Sequence, residues 1–300
     1  MSPGVWLRAA RASFLTASLV PVALGSVLAW HETGGLEWSR ALLAALGVTL
    51  LHAGANLTNE YGDHVTGADA ANAVRTRYSG GSRVIQDGLL TPRAILAGAL
   101  ATLAAGVGIG LYLNRATGGN VVLMLGTAGV VLGLCYSVRP LMLGYRGFGL
   151  GELSVGISFG PLMVLGSYYV QVQELPPGVL LISLPVGILI ALVLIINGIP
   201  DRESDRSVGK RTLAVALGER RTLRVYRVLL ATAYALVALS VAAGVAPPAC
   251  LIAFLSAPLA WRAVVVFARH FDDPGRLEPA NAATVGLHAA TGLLLALGLV

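Results

Sequence analysis

The stretch GVLLISLPVGILIALVLIINGI, residues 178–199, contains no charged side chain and is long enough to cross a lipid bilayer as a helix. A bilayer core of about 30 Å requires roughly 20 mostly apolar residues in a helix. The charged sequence PDRESD, residues 200–205, follows at once. This part of the chain therefore predicts a transmembrane helix that ends in a cluster of acids.

The whole chain shares this character. Its 300 residues are 56% hydrophobic and only 12% charged, with a mean hydropathy of +0.76, which excludes an ordinary soluble globule. Apolar runs of membrane-spanning length recur near residues 12–30, 40–58, 94–113, 120–137, 149–171, 178–199, 225–246, 248–268 and 281–300. We therefore expect an all-α, polytopic membrane protein, with nine transmembrane helices forming one domain over residues 1–300.

The distribution of charge predicts the orientation. All but three of the 21 Lys and Arg residues fall at the N-terminus or in the loops after the second, fourth, sixth and eighth spans. Positive charge accumulates on the cytoplasmic side of membrane proteins. We expect a multi-pass protein of the cell membrane with its N-terminus and charged loops in the cytoplasm. The net charge of +6 is divided among these loops, which argues against nucleic-acid binding.

Two of these loops carry acidic clusters. The first is NLTNEYGDHVTGAD, residues 56–69, and the second is NGIPDRESDRSVGKRTLAVALG, residues 197–218. Asp201 and Asp205 are four residues apart, so a continuing sixth helix would place both carboxylates on one face. Like charges this close repel unless a cation lies between them. Mg²⁺ suits this position, because it binds oxygen ligands from the protein and a substrate phosphate at the same time.

The two clusters align with each other. Asn59, Asp63 and Gly67 have the same spacing as Asp201, Asp205 and Gly209, each set after an apolar run. Helices one to four and five to eight are therefore predicted to be a distant internal duplication. The duplication would bring both clusters to a central cavity, where two Mg²⁺ ions could hold a diphosphate between them.

Basic residues follow both clusters, at Arg75, Arg77, Arg83, Arg202, Arg206, Lys210 and Arg211. Arginine and lysine are the usual protein ligands of phosphate groups. We select Arg83 and Lys210 as diphosphate ligands because both lie beside glycines, which allow close approach of the backbone. Glu152 is costly in lipid and is therefore expected to face inward.

Other interpretations of the acids remain open at this point. Asp, Asn and Gly are common wherever a helix ends, so the clusters could be solvated loop charges on a non-catalytic scaffold. A transporter could use the same acids for cations or phosphates, although transport sites usually lie at the membrane midplane.

The motifs resemble the UbiA superfamily of intramembrane aromatic prenyltransferases over essentially the whole chain. The first motif of its naphthoate-prenylating, menaquinone-forming branch is matched by Asn56, Asn59, Glu60, Tyr61, Asp63, Gly67 and Asp69. Further similar strings are GGSRVIQDGLLTP at 80–92, YRGFGLGEL at 145–153 and DRESDRSVGKRTLAVALG at 201–218. Many members have a carboxylate where this chain has Gly67, and Asp69 is the candidate replacement.

The resemblance implies Mg²⁺-dependent transfer of a polyprenyl group from a prenyl diphosphate to an aromatic acceptor at the membrane. The acceptor implied is 1,4-dihydroxy-2-naphthoate, giving demethylmenaquinone; 4-hydroxybenzoate, homogentisate, haem and a glycerol-phosphate lipid are alternatives. Mn²⁺ could replace Mg²⁺. Metal ligands are then Asn59, Asp63 and Asp69 for one ion and Asp201 and Asp205 for the other, with Asp63, Asp201 and Asp205 catalytic. Tyr61 and Asn197, from the same motifs, join Asn59, Arg83, Arg139 and Lys210 as substrate-binding candidates.

Overall fold

The computed structural model describes residues 2–72 and 76–300. All of the long secondary-structure elements in these residues are helices. Arg75, one of the basic residues after the first cluster, lies outside the described residues. Eight helical segments are long and apolar enough to cross a membrane, and a ninth apolar helix is shorter, at 17 residues. The predicted all-α membrane architecture is confirmed, and the nine predicted spans correspond to these nine segments.

Long apolar helices make up the body of the bundle. In chain order they are α2 (Thr16–Thr33), α3 (Trp38–Thr66), α5 (Pro92–Thr117), α6 (Val121–Ser137), α7 (Leu150–Ile157) continued by α8 (Met163–Val172), α9 (Pro177–Asn197), α12 (Glu219–Ala242), α13 (Ala257–His270) and α14 (Glu278–Gly298). Short 3₁₀ turns precede α2 and α13, at Ala12–Phe14 and Pro248–Ser256, and a π-helical turn, Ser158–Leu162, joins α7 to α8.

Short helices cap one end of the bundle. They are α1 (Pro3–Ala9), α4 (Ala68–Ala71), α10 (Arg202–Ser207) and α11 (Leu213–Leu217). We call this end, where α3, α6 and α9 finish and α7 begins, the charged end, and the opposite one the far end. In a bilayer core every backbone N–H and C=O needs an internal partner, so the irregular chain is confined to such ends.

Helix α9 lies at the centre of the bundle. Its apolar side chains belong to three buried clusters; the largest is shared with α12, α13 and α14, the next includes residues of α2, α8 and α14, and the smallest is shared with α2. Contact with the π-helical turn is close, because a Cβ added to Gly160 would lie 2.4 Å from the Cα of Gly187. Small residues let helix backbones approach in membranes. The core of the bundle therefore fixes the position at which α9 ends.

The sixth predicted span, 178–199, ends close to its predicted boundary. It does not continue through the second acidic cluster, because α9 ends at Asn197 and Asp201 is the N-cap residue of the separate helix α10. The Gly-Ile-Pro sequence between the two helices ends in Pro200, and proline cannot donate a backbone hydrogen bond within a helix. Asp201 and Asp205 nonetheless stay one turn apart, with the Asp205 amide donating to the Asp201 carbonyl at 2.8 Å. The internal duplication stays a prediction.

Candidate active site

The first cluster is built on the last turns of α3. Asp63 is 5% exposed, and its Oδ1 accepts a hydrogen bond of 2.8 Å from the hydroxyl of Tyr145, in the loop before α7. The Tyr145 hydroxyl is also 2.8 Å from Thr66 Oγ1, one turn further along α3. One turn earlier, the Asn59 amide nitrogen donates to Ser137 Oγ at 2.9 Å, which leaves its carbonyl oxygen for another partner. Neighbouring loops and helices therefore orient both polar side chains.

The loop after α4 folds back over the acids of α3. Glu60 is fully buried and accepts from the Ser82 amide at 3.1 Å and from the Ser82 hydroxyl at 2.6 Å. Asp69 lies against Gly81, whose backbone has φ +70°, and a Cβ at Gly81 would come within 2.3 Å of Asp69 Oδ1. Only glycine allows the loop to pass so near the carboxylate without strain.

Asp69 is the least compensated of these acids. It is 4% exposed, and its Oδ2 has no hydrogen-bond partner among the residues of the described chain. Burial, reinforced by the negative charges of Asp63 and Glu60, raises the pKa of Asp69 to about 7. An orphaned buried carboxylate oxygen is costly, and a divalent cation would satisfy it.

The second cluster faces the first at the charged end. Asp201 Oδ1 accepts a 2.7 Å hydrogen bond from the Asn72 side chain, which belongs to the segment after the first cluster. Burial raises the pKa of Asp201, and it raises the pKa of Asp205 to about 6, in both cases partly offset by Lys210. The two halves of the chain therefore meet through their acidic segments.

Lys210 lies between the clusters. Its Nζ is 3.3 Å from Asp205 Oδ1, 3.8 Å from Asp63 Oδ1 and 5.3 Å from the centre of the Tyr145 ring. Burial opposes its charge, but the carboxylates of Asp63 and Asp205 outweigh burial and raise the pKa of Lys210 well above its ordinary value. The Arg211 amide donates to the Tyr145 carbonyl at 3.2 Å, which holds the lysine loop against the loop before α7.

Arg11 is a second cation at the site. Its backbone is left-handed, at φ 51°, between α1 and the 3₁₀ turn that precedes α2. The adjacent Ala10 carbonyl accepts from the Asn56 side chain at 2.9 Å, and Arg8 pairs with Asp87 at 2.6 Å. Burial opposes the charge of Arg11, but the nearby acids, Glu60 first, outweigh burial and raise its pKa. The N-terminal segment therefore places the Arg11 guanidinium near the acids.

The Asp side chains of both clusters, with Lys210 and Arg11, border one ligand-sized cavity of about 350 Å³. At the charged end its wall is polar and contains both acidic clusters, and from there it continues between α3, α5, α6, α7 and α8 along apolar side chains. The cavity therefore combines a highly charged head with a long apolar body.

Most of the residues selected from the sequence line this cavity, and three do not. Those on its wall are Asn59, Asp63, Asp69, Asn197, Asp201, Asp205 and Lys210, together with the inward-facing Glu152. Tyr61 instead packs against an apolar cluster that includes Leu57 and Ile95. Arg83 is near Asp87, at 3.8 Å, and Arg139 is exposed after α6. The structure does not bring Tyr61, Arg83 or Arg139 to the cavity wall.

Three polar contributors are missed by reasoning from the sequence. In the sequence analysis Arg11 is only one of the positive charges at the N-terminus. Asn72 follows the last residue of the first motif, and Tyr145 is not among the selected site residues. A signal for Tyr145 is present, because it begins the YRGFGLGEL string. Arg11 has no such signal, since its approach depends on a backbone bend and on contacts from distant residues.

The bundle has buried acids and cations at one end and an apolar cavity below them. This arrangement is typical of a membrane enzyme that binds an amphipathic substrate. Residues 18–285 match the model of the UbiA prenyltransferase family. The chain belongs to this family and is a prenyltransferase.

Individual relatives agree with the family assignment. The chain is 32% identical over 287 residues to the 1,4-dihydroxy-2-naphthoate octaprenyltransferase of Bacillus subtilis, covering 95% of this chain and 88% of the relative. It is 30% identical over 294 residues to the 2-carboxy-1,4-naphthoquinone phytyltransferase of Synechocystis, covering 98% and 92%. A UbiA homologue from Archaeoglobus fulgidus, solved with GPP and Mg²⁺, has the same fold, with a TM-score of 0.66, 16% identity and coverage of 97% and 99%.

The raised pKa of Asp69 leads to a prediction about stability in metal-free buffer. Its folded pKa of about 7 lies above the ordinary value of 3.8, so the folded state favours the protonated form, and ionisation progressively destabilises it between these two values. Asp69→Asn should therefore unfold at a temperature a few degrees above wild type at pH 8, with the gap closing towards pH 4. Thermal unfolding in detergent with EDTA measures this. A gap that is absent at pH 8, or unchanged at pH 4, would contradict the assigned environment.

Proposed function

We propose that the protein transfers a polyprenyl group from a prenyl diphosphate to 1,4-dihydroxy-2-naphthoate, in a Mg²⁺-dependent reaction that gives the hydroquinone form of demethylmenaquinone. The observation that carries this proposal is that two acidic clusters from separate parts of the chain border the same end of one apolar cavity. Support for the acceptor comes from the relatives, several of which are named for transfer to this naphthoate. Support for the donor comes from the homologue solved with GPP and Mg²⁺.

The residues at the charged end fit a divalent metal. Carboxylate and amide oxygens are the donors that Mg²⁺ prefers, and Asp69 Oδ2 is a buried oxygen in need of a partner. In the described part of the chain no group of three Asp, Glu, His or Cys side chains forms a complete metal site alone. Diphosphate oxygens would therefore have to complete the coordination, as is usual for Mg²⁺ with phosphate ligands.

We assign Asn59, Asp63 and Asp69 to one ion and Asp201 and Asp205 to a second. Mn²⁺ has the same ligand preferences and can take the place of Mg²⁺ at such oxygen ligands. When bound, these ions would supply positive charge to offset that of the diphosphate leaving group.

Lys210 and Arg11 are the cations we assign to the diphosphate. Both lie on the polar wall, Lys210 between the clusters and Arg11 on the side of the N-terminal segment. Cleavage of the allylic carbon–oxygen bond moves its electron pair to the diphosphate oxygen and leaves positive charge on the prenyl carbon. Cations fixed around the leaving group stabilise it more as its charge grows, which lowers the barrier.

The acceptor supplies the second half of the reaction. Its electron-rich ring carbon attacks the allylic carbon, and loss of the ring carboxylate as carbon dioxide restores the aromatic system. The protein is required to hold the ring near the bond that breaks and to exclude water, which would otherwise capture the cation. Glu152 and Tyr136 lie on the wall on the α6 and α7 side of Lys210 and are positioned to border the acceptor.

The proposed orientation places the charged end in the cytoplasm. The excess of Lys and Arg in the loops at this end supports it. Water-soluble diphosphate would then be released on the side where it is metabolised, while the prenylated product stays in the membrane.

Loss of one carboxylate assigned to a metal ion should strongly slow the reaction. Asp201→Asn removes a negative charge from the second cluster but keeps the size of the side chain, and we expect the transfer rate to fall roughly a hundredfold or more. Transfer of label from a radioactive prenyl diphosphate to the naphthoate measures this. Asp272→Asn, an exposed acid remote from the cavity, is the matched control and should retain wild-type rates. Retained transfer in Asp201→Asn would reject the assigned site.

Arg11 gives an independent test of the diphosphate site. Removing a charge-assisted hydrogen bond costs about 1.5–3 kcal/mol, so Arg11→Gln should raise the donor KM about 10- to 100-fold. Arg11→Lys should recover part of the loss, because the charge returns without the planar fork. Arg93→Gln, an exposed arginine at the start of α5, is the control. A donor KM unchanged in Arg11→Gln would exclude Arg11 from the diphosphate site.

A further inference from the structure

The apolar body of the cavity runs almost the full length of α3. Its wall includes residues of α3 from Asp63 at the charged end to Ala44 towards the far end. At 1.5 Å per residue this is a depth of about 28 Å. The far end is lined by an apolar cluster of Val22, Ala44, Leu113 and Val170. The cavity is therefore a deep apolar channel.

One face of α6 lines this channel. The lining residues recur every three or four positions, at Val122, Leu125, Gly126, Gly129, Val130 and Gly133. The register against α3 is fixed by two contacts: Asn59 donates to Ser137, and a Cβ added to Gly133 would lie 3.7 Å from Ala55 Cβ. Gly133 is therefore level with Ala55, and Gly126 lies about two turns deeper.

Glycine leaves this face without side chains where the channel passes. A Cβ added to Gly126 would meet nothing within 4 Å, and one at Gly129 would meet only Leu162, at 3.9 Å. Helix packing therefore does not require glycine at Gly126. A larger side chain at this position would extend into open space along the channel wall.

We propose that the glycine-bearing face of α6 determines the length of the prenyl chain that the protein accepts, by leaving the channel open to its far end. This inference rests on the proposed function, because it takes the diphosphate to lie between the acidic clusters and the prenyl chain to extend down the channel. The substrate class is accordingly a long polyprenyl diphosphate.

The depth of the channel converts into a number of isoprene units. Each unit adds four carbon–carbon bonds, which extend roughly 4–5 Å. The full depth of about 28 Å then holds about six units in extended form. Gly133 is about 12 Å from the level of Asp63, or two to three units, and Gly126 is about 22 Å away, or about five units.

The test uses donors of two, four and six units, as geranyl, geranylgeranyl and hexaprenyl diphosphates. Gly126→Leu should retain the first two donors within about twofold and lose at least about tenfold in kcat/KM with the hexaprenyl donor, since the blocked depth lies near the fifth unit. Gly133→Leu should retain only the geranyl donor. Gly108→Leu is the control: Gly108 also faces open space, but it lies outside the channel wall on α5. Leucine favours helix over glycine, so all three variants should fold.

Graded loss by depth in the two α6 variants, with Gly108→Leu unchanged, is the expected result. Equal loss at all three lengths, or no loss with hexaprenyl diphosphate in Gly126→Leu, would overturn the proposal. Mg²⁺-dependent binding of the same donors is measured in parallel without acceptor. Length discrimination in binding without transfer to the naphthoate would refute the proposed acceptor and leave the channel proposal standing, whereas wild-type protein that binds none of the donors would refute both.

Discussion

Buried negative charge in a membrane protein is the constraint on which this site depends. Asp63, Asp69 and Asp205 are each at most 5% exposed, and Glu60 is fully buried. Placing several carboxylates together out of water is strongly unfavourable unless cations compensate them. Lys210 and Arg11 supply part of that charge, and the orphaned oxygen of Asp69 shows that compensation by the described residues is incomplete. Under the proposed function, Mg²⁺ and a diphosphate would supply the charges that complete this site.

The fold explains why such a site is possible at the end of a membrane bundle. Helices α3 and α9 both finish at the charged end, and short helices and loops follow each of them. These segments provide the backbone freedom for Gly81 to approach Asp69 and for Asn72 to reach Asp201. Below the acids the helices diverge around an apolar channel. Polar chemistry at one end and lipid-like volume below match a substrate that has a charged head and a long hydrocarbon chain.

The sequence was sufficient for the architecture and for the acidic half of the site. Apolar runs of fixed length predict the spans because the bilayer imposes one length on every helix. The matched spacing of Asp63 and Asp205 with their neighbours indicated a shared cavity, and both line it. The cations were harder to predict: proximity to glycine selected Arg83, which lies near Asp87 instead. Arg11 reaches the acids through a bend held by Asn56 and by Arg8, and no local pattern encodes such long-range contacts.

A structure of the protein with Mn²⁺ and a non-cleavable prenyl thiodiphosphate tests the central claim most directly. Anomalous scattering would locate the ions, and the account predicts Mn²⁺ bound by Asp63 on one side and by Asp201 on the other, with one diphosphate between them and the prenyl chain along the glycine face of α6. Metal and diphosphate bound by only one of the two clusters, or a prenyl chain outside the channel, would contradict it.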